Sequence, residues 1–150
     1  MADRHVPVEL TNMCMLTDGE YVLVQDRTDP DWPGIVFPGG HVEKGESITD
    51  SVVREFSEET GLTVEDPKLC GIQDWDWGDD GRYMVFLFKA TRFHGQLRSS
   101  EEGGVKWVRM ADLSPDVFAD GFEKIYRVFA EEGINEMYHP EGADWDAVYR

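Results

Sequence analysis

Apolar and polar positions along this chain follow two periods in turn. From Val8 to Leu16 apolar residues occupy both faces of a strand, Thr17-Asp18-Gly19-Glu20 turns the chain, and Tyr21 to Gln25 returns, the pattern of a hairpin. Asp26 to Gly34 is a polar, proline-containing loop in which Trp32 is either a lid or a plug for the core. Ile35-Val36-Phe37 is a short apolar run that ends in the paired glycines of Pro38-Gly39-Gly40, which let backbone approach a ligand closely. The period then becomes helical. Ile48, Val52 and Phe56 recur at every fourth residue and Val53 widens the stripe, with Ser47 at the start and Gly61 as the stop. Leu62 to Val64 and Lys68 to Ile72 read as strand, Gln73 to Gly81 as an acidic aromatic loop, and Tyr83 to Ala90 as a central strand covered on both faces. A loop from Gly95 to Gly104 precedes the strand Val105 to Met110. Ser114 as N-cap and Pro115 at the first position predict a final helix with Phe118, Phe122, Ile125, Tyr126 and Phe129 on its core face. The tail from Ile134 to Arg150, with Tyr138, Trp145 and Tyr149 among charges, covers either the domain or the partner of a homodimer.

The first helix carries the chemistry. Glu55, Glu58 and Glu59 fall three and four residues apart, so the spacing predicts three carboxylates sharing the face opposite the apolar stripe. They repel one another and, near the helix C-terminus, oppose the macrodipole. Something positive must compensate. Arg54 can hold one carboxylate with its fork, but one guanidinium does not neutralise Glu46, Glu55, Glu58 and Glu59 together. A divalent cation would, and all-oxygen ligation with no neighbouring Cys points to Mg²⁺ or Mn²⁺ rather than zinc. The plainer alternative is a solvated acidic face.

The full spacing runs Gly40, five residues, Glu46, seven residues, Arg54-Glu55-Phe56, one residue, Glu58-Glu59, one residue, Gly61-Leu62. It resembles the signature of the Nudix hydrolases, with Phe56 where an aliphatic residue is usual. The resemblance implies one Nudix domain over residues 1–150, with the box at 40–62 and a tail at about 134–150. Its fold would be an α/β/α sandwich, a mixed sheet between the box helix and a C-terminal helix. It also implies that Glu55, Glu58, Glu59 and the Gly39 carbonyl hold one to three Mg²⁺ or Mn²⁺ ions bridging a diphosphate, while Arg54 and Glu46 orient the ligand carboxylates. Glu55, Glu101 or Glu102 would accept the proton of the attacking water. Chain size and the Phe-Pro-Gly-Gly-His lead-in resemble the mutator-type branch. The implied substrate is then a purine nucleoside triphosphate such as 8-oxo-dGTP, cut to monophosphate and pyrophosphate. The alternatives are ADP-ribose, a dinucleoside polyphosphate, or a nucleotide-sensing module without catalysis. ADP-ribose- and NADH-directed members carry a proline where this chain has Trp75 to Gly78, which has none. Asn12, Phe37, Gly40 and Asp120 are the expected base-pocket residues. Trp75 and Trp77 either stack on a base or cap the core, and His41, beside the turn, is expected to be structural.

Charge narrows the partners. The 150 residues carry 14 Lys plus Arg against 31 Asp plus Glu, a formal charge of -17 and a pI near 4.4. That disfavours nucleic-acid polymers and acidic membranes, and leaves a small nucleotide whose phosphates a cation can bridge. Cys14 and Cys70 lack metal-ligand spacing and are expected to be free thiols. No signal core or membrane-length apolar run is present, so the cytoplasm is the expected compartment.

Overall fold

Alternation along β1 (Val8–Asp18) sorts its side chains onto two faces of a sheet. Met13 and Met15 enter one apolar cluster, and Cys14 and Leu16 enter another. The computed structural model describes residues 3–78, 81–141 and 146–150. Trp145, Asp79 and Asp80, part of the tail and of the acidic aromatic stretch, lie outside the described residues.

β1 is bordered on one edge by β7 (Arg82–Ala90), in parallel register from Val8 opposite Arg82 to Leu16 opposite Ala90. The other edge pairs antiparallel with β2 (Tyr21–Arg27) through the expected hairpin, and with the short β4 (Gly39–His41). β3 (Gly34–Val36) and β9 (Gly103–Arg109) extend the β2 side. On the β7 side follow β6 (Lys68–Asp76), β10 (Glu136–His139) and β11 (Val148–Tyr149). β7 is thus central, as its continuous apolar run predicted. β5 (Leu62–Glu65) and β8 (Arg92–Gly95) form a separate two-stranded ribbon.

Helix α1 (Ile48–Thr60) lays Val52 and Phe56 on the face holding Cys14, Leu16, Leu23 and Phe88. Helix α2 (Phe122–Ala130) lays Phe122, Ile125, Val128 and Phe129 on the face holding Met13, Met15, Phe37 and Leu87. The α/β/α sandwich around a mixed sheet is the architecture. Ser47 caps α1 through a 3.0 Å bond from the Asp50 amide, and Gly61 closes it with φ +78°.

Two expectations are corrected. The final helix does not begin at Pro115. Residues Pro115–Val117 make a single 3₁₀ turn, after which Phe118 bridges to Ile35, the Ala119 amide bonds the Ile35 carbonyl at 3.1 Å, and Gly121 at φ +76° resets the chain before α2. The backbone pairing with β3 outcompetes helix continuation. Residues 73–76 are not loop but the end of β6, since Trp75 stacks on Tyr83 at 4.5 Å and Asp74 is buried against Arg82. The described part of the tail packs on the domain, one of its two expected roles: β10 and β11 extend the sheet, and Tyr149 lies under the Arg127 guanidinium at 4.2 Å. Both cysteines are free, Cys14 buried and Cys70 half-buried. No described helix is long and apolar enough to cross a membrane.

Candidate active site

The box is organised by two glycines and one arginine. In β4, Gly40 pairs with Asn12 of β1, and a Cβ at Gly40 would land on the Glu55 carboxylate. A Cβ at Gly39 would strike the Asn12 carbonyl. Only glycines let α1, β4 and β1 close to this spacing. The Gly39 amide turns to α1 and donates to Glu59 Oε2 at 3.2 Å.

Arg54 is the hub on α1. Its Nε and Nη2 grip Glu46 at 3.0 and 2.6 Å, Nη1 donates to Glu55 at 2.8 Å and to Glu58 at 3.3 Å, and Nη2 also reaches the His41 carbonyl at 2.9 Å. The fork holds one carboxylate, Glu46, bidentately as expected, and Nη1 adds hydrogen bonds to two more. Glu46 also accepts from the Glu43 amide at 2.7 Å, and these bonds, Arg54 first, pull its pKa down to about 2.

Glu59 is set apart. It is not on the face opposite the apolar stripe: it is 4 % exposed and continues that stripe after Val52 and Phe56, whereas Glu58 is exposed and Glu55 lies between them. Spacing could have shown this, because positions 52, 56 and 59 stand on one helical line. Burial raises the Glu59 pKa to about 9, reinforced by a side-chain hydrogen bond and charge repulsion from Glu102.

Glu102 arrives from the loop before β9. Its carbonyl accepts from the Thr28 amide at 3.4 Å, and its neighbour Gly103 packs so closely on Asp26 that a Cβ would overlap the Asp26 carbonyl. The structure thus brings Glu46, Arg54, Glu55, Glu58, Glu59, Gly39, Gly40 and Glu102 together. Glu101, next to Glu102, is exposed.

The expected base-pocket residues do not gather in one place. Asn12 is buried on the α1 side, where its Nδ2 donates to Ser51 Oγ at 2.9 Å, so it ties β1 to the helix. Phe37 is 1 % exposed and packs edge-on against Phe122 and Phe129, a core group rather than the wall of an open pocket. Asp120 is exposed on the opposite face, and its carbonyl accepts from Trp32 Nε1 at 2.7 Å. Trp32, held also beneath the Arg27 guanidinium at 5.1 Å, pins the loop after β2 to the segment before α2. His41 sits 2.7 Å from Glu9.

A divalent cation fits the chemistry of this donor set. The donors are all oxygen, and the buried Glu59 carboxylate confronts Glu102 with one backbone amide to offset it, a pair that calls for a proton or a cation. Among the described residues no three such groups already close on one point, with Arg54 holding Glu55 and Glu58.

Residues 9–129 match the NUDIX domain. The chain belongs to the Nudix family. Its relatives include the Nudix hydrolase YvcI of Bacillus subtilis, itself uncharacterised, 36 % identical over 117 residues that span 75 % of this chain and 72 % of that one. The oxidized purine nucleoside triphosphate hydrolase of Mus musculus is 35 % identical over 91 residues, 57 % of this chain and 56 % of its own length. A MutT mutator protein from Bacillus halodurans superposes with a TM-score of 0.74 at 30 % identity, covering 95 % of this chain and 96 % of that structure. This Nudix chain is therefore a pyrophosphohydrolase of the mutator type, acting on nucleoside diphosphate-linked compounds.

Proposed function

We propose that this Nudix hydrolase cleaves a purine nucleoside triphosphate, with an oxidised base as in 8-oxo-dGTP, to the nucleoside monophosphate and pyrophosphate. The observation that carries the hydrolytic reading is the meeting of Glu59 and Glu102 beside the Arg54 hub. The choice of substrate is supported by the likeness to the mouse hydrolase and the bacterial mutator protein.

Glu55, Glu58, Glu59, Glu102 and the Gly39 carbonyl are the groups that would hold Mg²⁺ or Mn²⁺, which when bound supplies Lewis-acid polarisation of phosphoryl oxygens. Arg54 fixes the orientation of Glu55 and Glu58, and Glu46 fixes Arg54 through two parallel bonds. Water attacks phosphorus, its oxygen forming the new P–O bond while the bond to the pyrophosphate oxygen breaks. Glu102 takes the water's proton: it is the carboxylate on a mobile-length side chain at the surface that still touches the buried Glu59. Glu101, one residue away, is the alternative acceptor.

The test is Mg²⁺-dependent product analysis on 8-oxo-dGTP, the normal dNTPs, ADP-ribose and diadenosine polyphosphates. Monophosphate and pyrophosphate from 8-oxo-dGTP, at higher kcat/KM than from dGTP and reduced by about 10²–10⁴-fold in Glu59→Gln, is the expected result. Preference for ADP-ribose would overturn the substrate; binding without turnover would make the chain a sensor.

A further inference from the structure

The main sheet and the two-stranded ribbon meet where the chain crosses between them twice. Residues 65–68 lead from β5 into β6, and residues 89–92 lead from β7 into β8. An open hollow of about 250 Å³ lies in this seam, with the buried Ala90 in its wall and no group of the box or of the Glu102 loop. Its charge runs against that of the molecule. Lys68 and Lys89 stand directly opposite each other across β6 and β7, and Arg92 lines the same space. Three of the 14 Lys and Arg residues thus share one hollow in a chain of formal charge -17. Like charges directly opposed on a sheet destabilise it unless something negative lies with them. The acids of the seam supply part of that: Asp66 holds Lys68 at 2.7 Å, while Glu65 takes the His94 ring at 3.1 Å and leaves Arg92 at 3.9 Å. Lys89 is not served. Among the described residues it has no carboxylate within ion-pair distance, and the Thr91 hydroxyl two residues on makes no hydrogen bond.

We propose that this seam binds a small phosphate oxyanion, orthophosphate or pyrophosphate, with Lys89, Thr91 and Arg92 as donors and Lys68 adding its charge. One bend of chain brings an ammonium, a hydroxyl and a guanidinium to the same hollow, and these are donor groups suited to the several acceptor oxygens of a phosphate. Arg92 is free to turn, because its ion pair with Glu65 is long and its side chain is 67 % exposed. Size decides against a whole nucleotide: the hollow is smaller than the ~300–1,000 Å³ of ordinary small-molecule sites, and no aromatic ring is among its lining residues. It is an ion site, separate from the carboxylates of α1.

Titration of the full chain, kept metal-free with EDTA so that the box carboxylates repel anions, tests the site. Sodium phosphate, sodium pyrophosphate and sodium chloride are added at matched ionic strength and followed by calorimetry and by amide proton–nitrogen NMR spectra. Saturable shifts centred on residues 65–68 and 89–92, given by a phosphate and not by chloride, are expected. A response to both phosphates assigns a single phosphate group as the ligand, and a response to pyrophosphate alone assigns the two-phosphate unit. Lys89→Gln should weaken binding about tenfold, and Lys89→Arg should restore most of it. Thr91→Val, which removes only the hydroxyl, gives a second reading of the same loss. Lys89 and Thr91 are exposed, so these variants should keep the melting temperature of the unaltered chain and its kcat/KM without added phosphate. Shifts centred on the box, an equal response to chloride, or unchanged affinity in both Lys89→Gln and Thr91→Val would overturn the assignment.

Discussion

A methyl group on Gly40 would meet the end of a flexible side chain, and one on Gly39 would meet backbone. The same substitution at adjacent residues should therefore fail in two different ways. Gly40→Ala pushes the Glu55 carboxylate off Arg54 and leaves the sheet intact, so kcat should fall by roughly 10²-fold while the melting temperature stays nearly unchanged, as expected for a misplacement of about 1 Å. Gly39→Ala must part β4 from β1 and should cost about 1–3 kcal/mol in denaturant unfolding. At this scale the box was legible because its spacing is its function: each fixed residue meets another fixed residue, Gly40 with Glu55 and Arg54 with Glu46. Asn12 and Phe37 were not legible, since residue type says that an amide or a ring is present without saying which layer it faces. Pairing with Ser51 and packing on Phe122 decided both.

Among elements, α1 is the one that others are fitted to. Its C-cap shows how. The Gly61 amide closes the helix on the Ser57 carbonyl at 2.9 Å, its missing side chain makes room for the Gln96 carbonyl, and the Arg98 amide bonds the Thr60 carbonyl at 2.8 Å. The end of the helix is therefore also the seat of the loop that brings Glu102 to Glu59. Gly61→Ala should destabilise by more than the ~1 kcal/mol of a simple left-handed cap, measured by chemical denaturation, and should lower kcat as well because the loop shifts. A purely local cap defect would leave kcat alone. The two ends of α1 could be read from Ser47 and Gly61, whereas the start of α2 could not: Ser114-Pro115 is a sound local start signal, and it was overridden by a pairing between Phe118 and Ile35, far apart in sequence.

For the whole molecule, the net charge of -17 and the Glu59–Glu102 pair act in the same direction, both favouring uptake of positive charge. Unfolded, Glu59 loses its proton near its ordinary value of 4.5; folded and metal-free, the pair keeps a proton up to about 9. Between these values the native state binds more protons than the unfolded one, so this contribution to stability is full below about pH 4.5 and is lost as pH rises toward 9. Thermal melts of metal-free protein should show that decline. Added Mg²⁺ should offset it increasingly at higher pH, since the cation replaces the proton, and Glu59→Gln should flatten both trends. The layered architecture was legible from the two helical stripes and the central apolar strand; the order of the strands was not, because it depends on pairings between distant residues. The pairing of β1 with β7 is the chief of these, joining Val8 to Arg82 and Leu16 to Ala90 across the sheet's centre, with all of α1 inside the loop it closes. During synthesis, then, the strand that begins the sheet must wait unpaired on that edge until the ribosome has delivered β7, and the carboxylate site matures only after this late closure.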